Sequence, residues 1–175
     1  ELGLGHGSSS YCVMGSTLSK NRVYCNMLQK VIIGNSVTSV GTYAFNSCYS
    51  IETVTMPDSV TNIGNNAFYY CYSFVSITIS NSATSIGSDA FYSCFSIASV
   101  TIPKSVTIIG ANAFGNCHGV KEYHLKPIYP PTLSNAGAFS SISSDCIIFV
   151  PKGSLDAYQS ATNWSKYADK MQEEL

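Results

Sequence analysis

SVTNIGNNAF, at Ser59–Phe68, is a decapeptide that occurs in three further versions in the same chain. These read SVTSVGTYAF from Ser36, SATSIGSDAF from Ser82 and SVTIIGANAF from Ser105, so successive starts lie 23 residues apart. Similarity at a fixed period of about 20–50 residues is typical of repeat proteins, in which each unit covers the core of its neighbour. The sequence therefore predicts a repeat solenoid.

One unit, VTMPDSVTNIGNNAFYYCYSFVS at residues 54–76, indicates how each coil folds. Val54–Met56 alternates apolar and polar residues, which is typical of a half-buried strand, and Pro57 ends that strand at a turn. Gly64 suits a positive φ or a tight corner. One unit alone has no way to bury Phe68, so we expect neighbouring coils to stack with their strands paired about 4.8 Å apart.

Two side-chain ladders follow from the period. The first consists of phenylalanines, Phe45, Phe68, Phe91 and Phe114, and the second of five of the seven cysteines, Cys25, Cys48, Cys71, Cys94 and Cys117. A small apolar residue with a free, buried thiol suits a crowded corner of each coil. Stacked coils would also bring successive cysteines within the α-carbon range of a disulfide. A metal ladder is disfavoured, because the unit repeats one ligand type without CxxC pairs.

The pattern IxxVTMPxSVTxIGxxAFxxC, at Ile51–Cys71 and in the flanking units, resembles the BspA-like branch of the leucine-rich-repeat proteins. The segments YPPTLSNAGAF at Tyr129–Phe139 and CIIFVPKGSLDAYQSATNWSKYADKM at Cys146–Met171 are similar to the C-terminal closing segment of bacterial members. The resemblance implies a right-handed stack of about six coils, with a parallel β-sheet on one face, short turns or helical pieces elsewhere and a C-terminal helical cap. It also implies cell-surface display and adhesion to host proteins or other cells.

We divide the chain into a degenerate N-terminal repeat or cap at 1–30, four 23-residue repeats at 31–122, and an atypical last repeat with a cap at 123–175. Val150-Pro151 resembles Ile102-Pro103 and so indicates a last strand. Two short helices are predicted to plug the core, one capped by Ser154 and one starting at Asn163. Their buried faces are expected to carry Leu155, Tyr158, Trp164, Tyr167 and Met171. The charged residues from Asp169 onward are expected to form a solvated end.

The residues needed for catalysis are scarce. The histidines are His6, His118 and His124. His118 shares its column with Tyr49, Tyr72 and Phe95, which favours an aromatic packing role rather than a metal site or a base for Cys117. Gly3–Gly7 is glycine-rich but no GKS or GKT motif follows, so a phosphate-binding loop is disfavoured. The sequence predicts no enzyme activity, no metal site and no cofactor.

Two surfaces remain as candidate binding sites. The first is formed by outward-pointing strand residues in two columns, one with Lys30, Thr53, Ser76, Ser99 and Glu122, and one with Ile32, Thr55, Thr78, Thr101 and His124. Such a field of hydroxyls is either a solvent-facing surface or a platform that binds an extended polypeptide or glycan. The alternative surface is an aromatic corner of Tyr49, Tyr69, Tyr70, Tyr72 and Tyr92 with Phe95, which either covers the joints between coils or forms an interface.

The composition narrows the choice of partners. The net charge is −1 and no basic cluster is present, which disfavours nucleic acid. No run of 18 apolar residues occurs, so membrane insertion is not expected. We expect an extracellular or cell-surface monomer whose partner is a host extracellular-matrix or cell-surface protein or glycan. The alternative is a structural spacer without a ligand of its own.

Overall fold

The structure, a computed structural model, describes residues 28–175 and the backbone of an additional strand at Tyr11–Met14. The degenerate N-terminal repeat, Cys25, His6 and Gly3–Gly7 lie largely or wholly outside the described residues. The strands are β1 Tyr11–Met14, β2 Lys30–Ile33, β3 Ser39–Val40, β4 Thr53–Thr55, β5 Asn62–Ile63, β6 Ser76–Thr78, β7 Ser85–Ile86, β8 Ser99–Ile102, β9 Ile108–Ile109, β10 Glu122–Leu125, β11 Thr132–Leu133, β12 Ile147–Val150 and β13 Met171–Glu173. An α-helix, α1, spans Leu155–Ser160, and a 3-10 helix spans Ser165–Lys170.

The longer strands line one side of a parallel solenoid, as predicted. Each pairs in parallel with its copy one coil away, so that Thr53 lies opposite Ser76 and Thr55 opposite Thr78. The strands form two four-stranded sheets, ordered β1-β2-β4-β6 and β8-β10-β12-β13. The turn after each strand also forms as expected, because the Val60 N–H donates to the Pro57 carbonyl at 3.1 Å. The predicted repeat solenoid is confirmed.

A second parallel sheet was not predicted. It is ordered β3-β5-β7-β9-β11 and takes a two-residue strand from each coil, where the sequence indicated only turns or helical pieces. Threonines reinforce it, since the Thr61 hydroxyl donates to the Thr38 carbonyl and the Thr84 hydroxyl to the Thr61 carbonyl, both at 3.2 Å. Side-chain bonds to the preceding coil thus supplement a ladder that is too short to be stable alone.

Both predicted ladders run through the core. The rings of Phe45, Phe68, Phe91, Phe114 and Phe139 stack with centroids 5.1–5.5 Å apart and are fully buried. The thiols of Cys48, Cys71, Cys94 and Cys117 are free and buried. The Cys94 thiol donates to the Phe68 carbonyl at 3.3 Å, and burial raises its pKa well above the usual value. The cysteine ladder therefore joins consecutive coils by S–H···O contacts.

The conserved spacing of glycine has a cause other than a positive φ. A β-carbon added at Gly87 would lie 2.5 Å from the Asn65 nitrogen, and one added at Gly110 would lie 2.3 Å from the Ser88 nitrogen. Positive φ occurs instead two residues later, at Asp89 and its counterparts. Of the two reasons considered from the sequence, the crowded corner is correct, because the backbone of one coil touches the backbone of the next.

The C-terminal cap differs from its prediction in three respects. Ser154 precedes α1 but makes no side-chain capping bond. The second helix is a 3-10 helix that begins at Ser165, and Met171 starts β13 instead of continuing the helix. The expected solvated end is therefore wrong for Met171–Glu173, which pairs with β12 and buries Met171. Trp164 does close the core as predicted, since it is fully buried with its ring centroid 5.3 Å from that of Phe139. Within the described residues, neither helix is of a length and apolarity that would span a bilayer.

Candidate binding surface

The predicted strand columns lie on one exposed surface, which we call the strand face and define as the outward side of β2, β4, β6, β8, β10 and β12. Parallel register aligns Lys30 with Thr53 and Ser76, and Ile32 with Thr55 and Thr78. Across the other sheet, Ser99 aligns with Glu122 and Thr101 with His124. Ile32, Thr53 and His124 are half-buried, and the other column members are exposed. The structure therefore brings all of these residues together.

The strand face is distinguished by unused hydroxyl groups. None of its six hydroxyls takes part in a hydrogen bond within the described part of the chain: Thr53, Thr55, Ser76, Thr78, Ser99 and Thr101. The threonines of the second sheet behave differently, because Thr61, Thr84 and Thr107 each donate to a carbonyl of the preceding coil. The strand face thus offers donors and acceptors that the fold itself does not use.

A charged cluster closes the C-terminal end of the strand face. The His124 ring stacks on Phe149 at 4.9 Å, and its two nitrogens each face a carboxylate oxygen at 3.1 Å, one from Glu122 and one from Glu174. Lys126 also binds Glu174, at 2.5 and 2.8 Å. Lys126, followed by His124, holds the pKa of Glu174 below its ordinary value. These contacts tie the residue after β13 to β10.

The strand face contains a break between β6 and β8, which do not pair. The backbone bond that joins each coil to the next before its strand, such as Val75 N–H to Glu52 carbonyl or Lys121 N–H to Ala98 carbonyl, is absent between Ala98 and Val75. A groove of about 650 Å³ lies at the break, and Ile77, Ile79, Thr78, Thr101, Lys104 and Lys126 are among its lining residues. Equal spacing on both sides hides this feature from sequence reasoning.

The aromatic corner also assembles. Tyr49, Tyr72, Phe95 and His118 form one continuous stack, with centroids 5.0–5.9 Å apart and planes within 15° of parallel. Beside it, the Tyr69 ring stacks on Tyr92, and Tyr70 contacts both of them. Because stacked rings cover one another's faces, the stack presents mainly ring edges. This geometry is unsuited to sugars, which pack against open ring faces.

Two tyrosines near this corner have unusual backbones. Tyr43 and Tyr70 have φ of 61° and 62°, a region that bulky side chains rarely adopt. Other coils place small or amide residues at the same positions, among them Asn66 for Tyr43 and Ser93 for Tyr70. The two tyrosines therefore occupy these positions at a cost in backbone energy.

The residues considered for catalysis do not form a catalytic arrangement. The Cys117 thiol donates to the Phe91 carbonyl at 3.1 Å, and burial raises its pKa to about 12. His118 stacks on Phe95 as the column predicted, and its Nδ1 donates to the Ser141 carbonyl at 2.9 Å. Among the described residues, no group of three or more His, Cys, Asp or Glu is placed to hold a metal ion.

The repeat pattern and the coil geometry agree with comparisons to known proteins. The profile of the BspA type leucine rich repeat region matches six copies across residues 18–127, more than half of the chain. The chain belongs to the BspA-type leucine-rich repeat family. No match was found among curated proteins.

Solved structures of bacterial BspA-type and other leucine-rich repeat proteins resemble the chain. A leucine-rich cell surface protein from Faecalibacterium prausnitzii A2-165 is 28% identical, with a TM-score of 0.68, over 77% of this chain and 35% of that one. A leucine-rich repeat protein of T. pallidum is 26% identical, with a TM-score of 0.65, over 81% of this chain and 64% of that one. A Bacteroides ovatus leucine-rich repeat protein, 22% identical with a TM-score of 0.52 over 74% and 45%, shares the fold. The chain thus spans less than two thirds of each of these proteins.

Proposed function

We propose that this chain is a non-catalytic binding module of a bacterial cell-surface or secreted protein. Its role is adhesion to a protein or glycan of a host or of a neighbouring cell. The observation that carries the proposal is the set of unused hydroxyls on the strand face. A face that served only as a solvent boundary would not need to differ from the second sheet, where the threonine hydroxyls bond internally.

The spacing of the strand face suits an extended partner. Neighbouring coils place equivalent hydroxyls about 4.8 Å apart, and the two columns are two residues apart along each strand, about 6.6 Å. Repeat solenoids commonly bind partners along such a regular surface. The central columns carry no charge between Lys30 and Glu122, so we expect binding to depend only weakly on ionic strength.

A non-catalytic role is supported by how the titratable groups are used. Both nitrogens of His124 face carboxylates, and the Cys117 thiol is buried and bonded to a carbonyl, so neither is poised to act on a ligand. The family consists generally of non-enzymatic repeats. Surface location is supported by the F. prausnitzii relative, which is described as a cell surface protein.

The test is binding of the purified chain to an array of host extracellular-matrix proteins and mucosal glycans, with a Thr55→Arg/Thr78→Arg variant alongside. Two arginines on adjacent coils would block the strand face without changing the core. The matched control is Thr61→Arg/Thr84→Arg, which places the same two arginines on adjacent coils of the second sheet. We expect a ligand that binds the wild type and the control but not the strand-face variant.

Two other outcomes would contradict the proposal. A ligand that binds all three proteins equally would remove the strand face as the site. A folded chain that binds nothing on the array would favour the alternative role, a structural spacer that positions another domain.

A further inference from the structure

The loop at residues 127–131 exposes the two most accessible large apolar side chains before the C-terminal residue. Ile128 is 67% exposed and Tyr129 is 84% exposed. Among described residues up to 174, every other large apolar side chain is less than half exposed, including those of the aromatic corner. Unlike the stacked tyrosines, Tyr129 takes part in no ring stacking among the described residues, so both faces of its ring are open.

The loop that carries this pair is held firmly. The buried Tyr158 hydroxyl donates to the Pro127 carbonyl at 2.8 Å, and the buried Trp164 indole N–H donates to the Pro131 carbonyl at 2.7 Å. Prolines at both ends also fix their own φ. A partner would therefore meet a loop that is already ordered, which lowers the conformational entropy lost on binding.

The fold does not require the two exposed side chains. From Ala113-Phe114 to Ala138-Phe139 the period lengthens from 23 to 25 residues, and this loop lies in the lengthened unit. The cap uses the carbonyls of Pro127 and Pro131. It buries neither Ile128 nor Tyr129, so folding alone gives no reason for apolar residues at these positions.

We infer that Ile128 and Tyr129, here called the apolar tip, insert into an apolar pocket on a protein partner. This inference rests on the proposed function and narrows the partner from a protein or glycan to a protein. Tyrosine beside an aliphatic residue on an ordered loop is typical of the anchors that dominate protein interfaces. A glycan would account for an open tyrosine ring but not for the isoleucine, which neither stacks nor forms hydrogen bonds.

A membrane surface is a poorer match for the apolar tip. The adjacent cation, Lys126, is already paired with Glu174, which leaves the tip without the free positive charge that anionic lipids attract. Two apolar side chains also bury less surface than stable membrane anchoring requires.

The apolar tip and the strand face can contact the same partner. Lys126 lines the groove at the break together with Thr78 and Thr101 of the strand face. Ile128 is two residues beyond Lys126, which places their α-carbons within about 7 Å. A protein that lies along the strand face would therefore reach the tip at the end of the groove.

The test compares wild type, Ile128→Ser/Tyr129→Ser and the control Ile108→Ser/Tyr43→Ser. The control removes the same two residue types from positions that are 48% and 46% exposed elsewhere on the molecule. Equal thermal midpoints establish that all three are folded. The probes are a panel of purified extracellular-matrix proteins, a glycan array, and vesicles of phosphatidylcholine with phosphatidylserine. For a protein that binds the wild type, we expect Kd to rise about 30-fold in the tip variant. The control should stay within about twofold.

The outcomes separate this inference from the proposed function. Protein binding that Thr55→Arg/Thr78→Arg abolishes and the tip variant leaves unchanged would overturn only the inference. Binding to glycans alone would do the same, because the partner would not be a protein. Vesicle binding that the tip variant loses would replace the protein with a membrane. No binding to any probe would overturn both.

Discussion

Replacing Gly87 with alanine tests the tight contact between coils. Considered locally, the change should stabilise the protein by about 0.5–1 kcal/mol, since glycine loses more entropy on folding than alanine does and φ at Gly87 is not positive. The structure predicts the opposite sign. The new β-carbon would lie 2.5 Å from the Asn65 nitrogen and 2.6 Å from the Gly64 carbonyl carbon, where ordinary contact begins near 3.4 Å.

The cost follows from what must move. The contacted atoms are backbone atoms of the preceding coil, so relief requires the two coils to separate by several tenths of an ångström. Overpacking of this kind costs about 1–3 kcal/mol. Separation would also weaken the bond from Gly87 N–H to the Ile63 carbonyl and that from Ser88 N–H to Asn65 Oδ1, both 2.8 Å, at about 1 kcal/mol each. We therefore expect Gly87→Ala to reduce the free energy of unfolding by about 3–5 kcal/mol.

Gly153→Ala is the control. Gly153 has a φ of +78° and no atom within 4 Å of an added β-carbon, so alanine there costs about 1–2 kcal/mol through backbone strain alone. Urea unfolding would be followed by circular dichroism, which reports on all coils, and by the fluorescence of Trp164, which reports on the cap, because repeat arrays can unfold in stages. Heating should show a fall in Tm of about 10 °C for Gly87→Ala. A Gly87→Ala protein as stable as the wild type would refute the close approach of the coils.

Three further predictions concern side chains. Tyr123→Phe should stabilise the protein by about 1 kcal/mol, measured by urea unfolding, because the buried Tyr123 hydroxyl has no hydrogen-bond partner among the described residues; a loss of stability would reveal a partner for that hydroxyl. Cys117 should resist iodoacetamide at pH 8 until the protein is denatured, since burial raises its pKa to about 12; mass spectrometry that finds rapid alkylation of folded protein would contradict this. Lys126 lowers the pKa of Glu174 on folding, so the stability from this pair is present above about pH 4.3 and is lost as pH falls through the lower folded pKa. Acid titration of unfolding should therefore show a smaller loss in Lys126→Met than in wild type, and equal losses would exclude the pair as a source of acid sensitivity.

The periodic part of the fold was predictable from the sequence because every coil solves the same packing problem. A constant spacing of 23 residues implies that Thr55 faces Thr78 and that Phe68 stacks on Phe91, and the structure has both contacts. The composition of the strand columns was predictable for the same reason. Whether those columns bind a partner stays a prediction.

The remaining features depend on contacts that a periodic pattern does not contain. Met171–Glu173 has no strand-like alternation, and it becomes a strand because β12 offers an unpaired edge. The break beside Val75 lies between units of identical spacing; its available signal was an apolar residue, 49% exposed, in a position held elsewhere by Glu52 and Lys121. The proline insertion was visible in the sequence, but the exposure of Ile128 and Tyr129 depends on hydrogen bonds from the distant cap.

Departures from the repeat are the places where function can be separated from folding. Residues that recur in every coil are explained by the stack, whereas Tyr70 adopts a positive φ that costs about 1–2 kcal/mol where other coils use serine or asparagine. Such strain persists only where its surroundings impose it, and it is common at functional sites. Tyr70 enlarges the aromatic corner, Ile128 and Tyr129 form the apolar tip, and none of the three fills the core as the phenylalanine ladder does. A spacer would gain nothing from added aromatic surface, whereas a binding module would, and this asymmetry favours adhesion over the spacer role.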